Sequence, residues 1–372
     1  MRILITGGAG FIGSHLCTRL LELGHSVRVL DNLTPQVHGT EESVRQASRS
    51  DVEFILGDVR CADTLGRSLA GIDVVYHLAA ATGVGQSMYE IKEYSDCNVG
   101  GTAQLLDLLA RDRRDAQRLI VASSRAVYGE GKYSCAQCGI VFPPPRSAAQ
   151  MASGQWEVMC PQCSLEAQPV ATDEDKPLRP GSVYAISKRD QEEMCICVGE
   201  AYGIPTTALR LFNVYGSGQS LRNPYTGIIT IFAARIRNGE PPLIYEDGLE
   251  TRDFVHVSDV VNALVLAMDS KKADYRVVNI GSGTALSVLD MAAVLIREMG
   301  ADLTPRVIGK YRVGDIRHCH ADLTRARELL NYEPKVTFSE GIREFLHWAQ
   351  DIESVDRLAE ATDELQRRGL FR

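Results

Sequence analysis

The stretch MRILITGGAGFIG, residues 1–13, decides the fold. Residues 2–6 read as a short buried strand. Gly7, Gly8, Gly10 and Gly13 follow at once, and Phe11, Ile12, Leu16, Leu20 and Leu21 then set up an apolar helical pattern. A strand that passes through a glycine turn into a helix is the phosphate-binding corner of a dinucleotide fold. A pyrophosphate has to approach backbone N–H groups closely, and any Cβ there blocks it; the helix N-terminus adds partial positive charge. A glycine turn alone is a weak signal, and here the spacing is Gly7-x-x-Gly10-x-x-Gly13 rather than G-x-G-x-x-G. A second strand, 26–30, strengthens it by ending in Asp31. An acid about 20 residues past the turn accepts the hydroxyls of an adenine ribose and repels a 2′-phosphate, so the pattern favours NAD over NADP.

Outward from this corner, apolar runs alternate with helical patterns. Strands are expected at 2–6, 26–30, 52–56, 73–77 and 118–123, and helices at 10–23, 61–69 and 98–111. Strict alternation predicts an α/β fold: a doubly wound, Rossmann-type parallel sheet covered on both faces. Gly57-Asp58-Val59 closes the third strand and Leu78-Ala79-Ala80 the fourth, at the carboxyl ends where such a sheet binds its ligand. Ala79 and Ala80 read equally as a tight turn.

Residues 130–172 break the rhythm. They are rich in Pro, Gly, Gln and Ser, and carry Cys135-x-x-Cys138 and Cys160-x-x-Cys163, with 21 residues between the pairs. Two knuckles presenting four thiolates suit a structural Zn²⁺. The other readings are four free thiols or a redox pair; four sulfurs leave no open position for a catalytic zinc. About 40 residues without structure are uncommon inside a domain, so a local staple is expected.

The alternation resumes with a helix at 182–201 and a strand at 206–212. Helical patterns then lie at 226–238, 257–268, 287–299 and 323–330, a strand at 276–280 returns to the sheet, and 341–349 and 354–367 close the chain. The expected division is a Rossmann domain at 1–129, the double-CxxC insertion at 130–172, the remainder of the Rossmann domain at 173–212, mainly a smaller α/β substrate lobe at 213–340, and a helical extension at 341–372.

Composition is that of an ordinary globular protein: 45% hydrophobic and 24% charged over 372 residues. A net charge of −8 offers nothing to nucleic acid or an anionic membrane. No apolar run is long enough to span a bilayer. A first strand at residue 2 leaves no room for a signal peptide, so a cytoplasmic protein is expected. Its ten cysteines are then thiols or metal ligands, not disulfides.

The chemistry concentrates in two places. Tyr184-Ala-Ile-Ser-Lys188 puts a phenol and an ammonium on one helical face. A free tyrosine titrates near about pH 10. A neighbouring lysine and a cationic nicotinamide favour the phenolate and make Tyr184 a base. By itself the pair also reads as a surface contact. Ser123-Ser124 ends a parallel strand, where catalytic groups gather, or else caps a turn.

Taken with TGGAGFIG (6–13), DN (31–32), GDVR (57–60), HLAA (77–80), Asn98, VASSRAVYG (121–129), YAISK (184–188), RLFNVYG (210–216), RDFVHVSD (252–259), NIGSG (279–283) and RVGDIRHCHAD (312–322), the chain resembles the extended short-chain dehydrogenase/reductases that act on nucleotide sugars. The likeness spans nearly everything outside 130–172 and the last thirty residues. It implies NAD contacts from Gly7, Gly10, Phe11, Ile12, Gly13, Asp31, Asn32, Asp58, Val59, Leu78, Ala79, Ala80 and Asn98, together with Tyr184 and Lys188. It implies a homodimer through helices 98–111 and 182–201.

The segment after the fifth strand separates the branches of that family. Sugar 4,6-dehydratases resemble TDEVYG there, with an acid pair that handles protons, and decarboxylases carry a Glu. Residues 124–129, SRAVYG, have no carboxylate and look like the 4-epimerases. The resemblance implies that Ser124 orients the sugar 4-hydroxyl, that Tyr184 is the base, and that Lys188 holds the NAD ribose and lowers the phenol pKa. It implies that Asn213, Arg252, Arg312 and Asp315 grip a nucleoside diphosphate, with Asn223 and Tyr225 in the wall around it. Arg125 stands where a small residue is frequent, which leaves the sugar open. A closer likeness, through 83–90, the double CxxC, 222–229 and 245–257, is to the bacterial dTDP-L-rhamnose 4-epimerase branch, which makes dTDP-6-deoxy-L-talose. Other readings are a UDP-hexose or UDP-hexuronate 4-epimerase, a dehydratase or reductase with net redox, and a non-enzymatic NAD-binding module.

Overall fold

The computed structural model describes residues 1–39, 51–112, 116–221, 227–312, 314–350, 352 and 358–371. Its centre is a seven-stranded parallel sheet built from β1 (Arg2–Thr6), β2 (Ser26–Asp31), β3 (Glu53–Leu56), β4 (Val74–His77), β5 (Arg118–Ser124), β6 (Thr206–Leu211) and β7 (Arg276–Ile280), in the order β7-β6-β5-β4-β1-β2-β3. The direction of stepping reverses at β1, between β4 and β2. That crevice, at the carboxyl ends of the strands, is where a doubly wound sheet takes its ligand.

The period of two along a strand divides the core. Ile3 and Ile5 face one side, where they pack with Tyr76, Ile120 and Leu209 beneath the helices Phe11–Glu22 and Val257–Asp269. Leu4 faces the other, with Leu30, Val75, Leu119 and Val121 beneath the helices Ala62–Leu69, Gly101–Asp112 and Val183–Tyr202. Each such side chain contributes about 1.5–3 kcal/mol by leaving water. A one-residue slip of β1 would exchange the two sets, so its register with β2 and β4 is fixed from both faces.

The five strands expected in the first third are all present, within one residue at each end. The later part of the chain is more interleaved than its sequence order. Strand β7 returns to the sheet as expected, and helix Val257–Asp269, within the stretch expected to be mainly substrate lobe, packs on the central sheet too. The lobe itself gathers Phe232, Ile236, Met291, Leu295, Ile342 and Phe345 around a second core. Its small strands include Thr251–Arg252, which lies between Leu286–Ser287 and His318–Cys319. Helix Phe338–Ala349 starts three residues before the periodic pattern, because Thr337 and Glu340 form a capping box. The expected 98–111 helix begins within a π-helical stretch, Ser95–Gly100, and continues as Gly101–Asp112.

The inserted segment has the staple its length requires. Lys132–Cys135 pairs antiparallel with Gly139–Val141 and Gln168–Val170, and Tyr133, Val141, Val158 and Ala167 enclose a small core around Cys135 and Cys160. Among the described residues no helix is long and apolar enough to cross a membrane.

Candidate active site

The glycine corner is held by backbone approach. Gly7 adopts φ +71°, and a Cβ on it would lie 2.8 Å from the backbone of Ala79. A Cβ on Gly13 would lie 2.4 Å from the Gly7 carbonyl oxygen. So the helix that starts at Phe11 sits directly on the turn, and Leu78-Ala79 closes on it from β4. Gly10 is the residue before that helix and gives no side-chain cap, which leaves first-turn N–H groups of Phe11, Ile12 and Gly13 for an anion. Asp31 ends β2; its carboxylate accepts from Ala9 N (3.1 Å) and Leu33 N (2.9 Å), and ties the turn to the strand. His38 Nε2 lies 3.5 Å from the same carboxylate, a neighbour the sequence did not signal. Asn32 donates to Asp58 (2.9 Å). Burial would raise the Asp58 carboxyl, but hydrogen bonds from Arg60 and Asn32 outweigh it and lower it to about 2. Val59 is buried against Gly101. These features, a cradle that any Cβ would fill and an acid at the end of β2, fit NAD.

Asn98 is fully buried and locks the loop after β4. Its Oδ1 accepts from Ala81 N (2.7 Å), and its amide donates to the Ala81 carbonyl (3.1 Å) and the Ser187 hydroxyl (2.9 Å). Ser187 in turn donates to the Tyr184 carbonyl (2.9 Å). The cofactor loop and the tyrosine helix are thereby joined.

Tyr184 and Lys188 lie on the first turns of helix Val183–Tyr202, which Ser182 caps through Ala185 N. Ser124 ends β5 and caps the following 3₁₀ turn, Arg125–Tyr128. Burial raises the Tyr184 pKa; a hydrogen bond from Ser124 and the charge of Arg125 oppose the rise. Arg125 itself is destabilised as a cation by burial and by Arg252. Burial lowers Lys188 to about 8. Its Nζ donates to Gln191 Oε1 (2.8 Å), and Gln191 Nε2 donates to Thr102 Oγ1 (2.7 Å). Thr102 meets His77, and His77 meets Thr6 at the end of β1. Burial drives His77 down to about 3, so this chain of partners is neutral beneath the lysine. Gln191, Thr102, His77 and Thr6 were not among the expected site residues. Gln191 follows Lys188 by three positions on the same helix, a spacing that could have drawn attention to it.

Among the expected substrate residues, Arg125 interacts with Arg252 and Asp315, and Asp315 adjoins Arg312. Asn213 follows β6, and its buried Oδ1 has no hydrogen-bond partner among the described residues. Arg312 stacks on Tyr245, with Cζ 4.8 Å from the ring centroid, and its Nε is likewise buried and unpartnered there. Asp315 closes a turn by donating its N–H to the Arg312 carbonyl (3.3 Å). Arg252 donates to the carbonyls of Thr251, Ile316 and Arg317 (2.8–2.9 Å), so it fastens the 316–317 backbone as well as facing Arg125. Asn223 and Tyr225 lie outside the described residues.

Cys135, Cys138, Cys160 and Cys163 come together, with all four Sγ atoms within 4.8 Å of one another. Backbone N–H groups of Gln137 and Cys138 favour the Cys135 thiolate. Ser164 and Gly139 take positive φ, which turns the chain tightly after each knuckle. A compact four-sulfur set of this kind fits a tetrahedral metal such as zinc.

With this geometry in hand, comparison with known proteins is specific. The model of the NAD dependent epimerase/dehydratase family matches residues 3–148 and 161–281. A dTDP-L-rhamnose 4-epimerase of Burkholderia thailandensis is 38% identical over 95% of this chain and 96% of its own length. A UDP-glucuronic acid 4-epimerase of Bacillus cereus, solved with UDP-glucuronic acid and NAD, superposes with a TM-score of 0.77 at 29% identity, over 95% of this chain and all of that one. A UDP-glucose 4-epimerase of Thermotoga maritima, solved with UDP-glucose, gives 0.76 at 31% identity, over 94% and 99%. A glycine corner sealed by backbone contact, an acid at the end of β2, and Ser124, Tyr184 and Lys188 above them agree with these matches: the chain belongs to the NAD-dependent epimerase/dehydratase family.

Proposed function

We propose that the protein is a nucleoside-diphosphate-sugar 4-epimerase, acting on dTDP-L-rhamnose to give dTDP-6-deoxy-L-talose. What supports the reaction class is Ser124 at the end of β5, in a 124–129 segment with no carboxylate to drive elimination, beside the helix that carries Tyr184. The sugar and base are supported by the 38% identical rhamnose epimerase.

Ser124 holds the sugar 4-hydroxyl against Tyr184. Tyr184 takes the hydroxyl proton as C4 is oxidised and returns it when C4 is reduced from the other face. NAD, held by the glycine corner and Asp31, supplies the hydride acceptor and donor. Lys188 and Arg125 stabilise the phenolate. Arg312 and Asn213 keep the nucleoside diphosphate fixed, so that the 4-keto sugar turns while its anchor does not. NAD stays bound through turnover, because the reaction has no net redox change.

The test is turnover of a panel of dTDP-, UDP- and GDP-sugars, with product stereochemistry read by NMR and absorbance followed at the NADH band. Epimerisation without net NADH is expected. Released NADH, or loss of water, would refute the epimerase; turnover of UDP-sugars alone would refute the rhamnose assignment. Tyr184→Phe should lose activity by about a thousandfold or more while keeping NAD.

The four cysteines are proposed to hold one structural zinc per chain, and metal analysis of the purified protein tests this. A homodimer through Gly101–Asp112 and Val183–Tyr202 is proposed on the same footing. Ile186 on the second of these helices is exposed. Sedimentation at the mass of a single chain would rule it out.

A further inference from the structure

The inserted segment is fastened to the proposed nucleotide site by charged side chains, not only by its own core. Arg146 lies between the two cysteine knuckles and is buried. Its terminal nitrogens form a fork on Glu246 (2.7 and 2.8 Å). One also donates to the Trp156 carbonyl within the insertion (3.0 Å), and the other to the carbonyl of Asp315 (3.1 Å). The turn so held is the one closed by Asp315 N on the Arg312 carbonyl.

Glu157, also of the insertion, reaches the next residues. It accepts from Arg317 Nε (3.1 Å) and meets His318 Nε2 (3.2 Å). Arg317 is fully buried, forks onto Asp247 (2.6 and 2.8 Å), and donates its backbone N–H to Glu130 (2.8 Å). Acid and base thus alternate from the insertion through segment 312–318 to the turn at 246–247. A planar fork fixes direction as well as distance, and a buried guanidinium on a backbone carbonyl fixes that peptide.

We propose that Arg146 and Glu157 are positioning residues for nucleoside-diphosphate binding: the insertion sets the place of residues 315–318, and, through the bond from Asp315 to Arg312, of Arg312 as well. This rests on the reading of Arg312 and Asp315 as nucleotide ligands. It assigns the four-cysteine segment a role in the substrate site, with no contact to the cofactor corner required.

Two variants test it: Arg146→Lys, which keeps the charge and loses the fork, and Arg146→Met with Glu246→Gln, which removes both members of the buried pair. The readouts are retained NAD, the melting midpoint, the affinity for dTDP and UDP by calorimetry, and KM against kcat. Both variants should keep NAD. The double variant should bind dTDP about 10- to 100-fold more weakly, the range for displaced supporting groups, with the change in KM and little in kcat. Arg146→Lys should fall between it and the parent. Unchanged nucleotide affinity in either folded variant overturns the proposal; if the double variant does not fold, Arg146→Lys decides. A parent protein that binds neither nucleotide removes the nucleotide reading itself, and this inference with it.

Discussion

The cofactor corner and the turn closed between Arg312 and Asp315, proposed for a nucleoside diphosphate, are held in different ways. The corner is assembled from residues close in sequence: Gly7, Gly10 and Gly13, with Asp31 one strand later. Its parts meet through backbone atoms, and the deciding quantity is the absence of a Cβ. Residues 315–318 are held by side chains from residues 130, 146, 157, 246, 247 and 252. The deciding quantity there is the pairing of buried charges. A site of the first kind fails sharply when a methyl group is added. A site of the second kind fails by degrees, since each charge has more than one partner, although stranding a buried charge is itself expensive.

The largest effect should come from the corner. Gly13→Ala places a methyl 2.4 Å from the Gly7 carbonyl, so helix and turn must separate. The purified variant is expected to carry no NAD and to lose about 1–3 kcal/mol of stability, the usual cost of overpacking. Full NAD content would break the contrast drawn above. A smaller effect is expected from the insertion. Replacing Cys135 and Cys160 with Ser removes two buried ligands of the proposed metal site, and dTDP binding should weaken by roughly tenfold while NAD is retained. Loss of NAD together with dTDP binding would show that the two regions are not separable.

A third effect, confined to acid pH, concerns the neutral relay beneath Lys188. His77 is held at about 3 when folded and returns to about 6.5 when unfolded. The unfolded chain therefore binds the extra proton, and stability is lost as pH falls from about 6.5 toward 3. In that window the histidine contributes a slope of at most about 1.4 kcal/mol per pH unit. His77→Gln should flatten the acid limb of a denaturation series between pH 6 and 4. An unchanged slope would place the titrating group elsewhere.

The outline of the parallel sheet was legible because strand and helix periods differ and the strands are buried on both faces. The glycine corner, Asp31, Ser124 and Tyr184–Lys188 were legible because local backbone geometry demands particular residue types at particular spacings. The four cysteines were legible for the same reason, since a tetrahedral site repeats a short knuckle. Arg252 was less so. Its bonds to three backbone carbonyls could not be read from the sequence, because an arginine does not declare there which of its donors are taken. The Lys188–Gln191–Thr102–His77–Thr6 relay draws on four elements far apart in the chain.

By itself, then, the sequence determined the sheet and the glycine turn, since each depends on sterics within a few positions, and its resemblance to the family named the residues proposed for the chemistry. Only the tertiary structure decided that helix Val257–Asp269 packs on the central sheet, and that the insertion reaches residues 315–318 through Arg146 and Glu157. Those outcomes depend on which buried charge finds which partner across more than a hundred residues of chain, and no spacing rule encodes that choice.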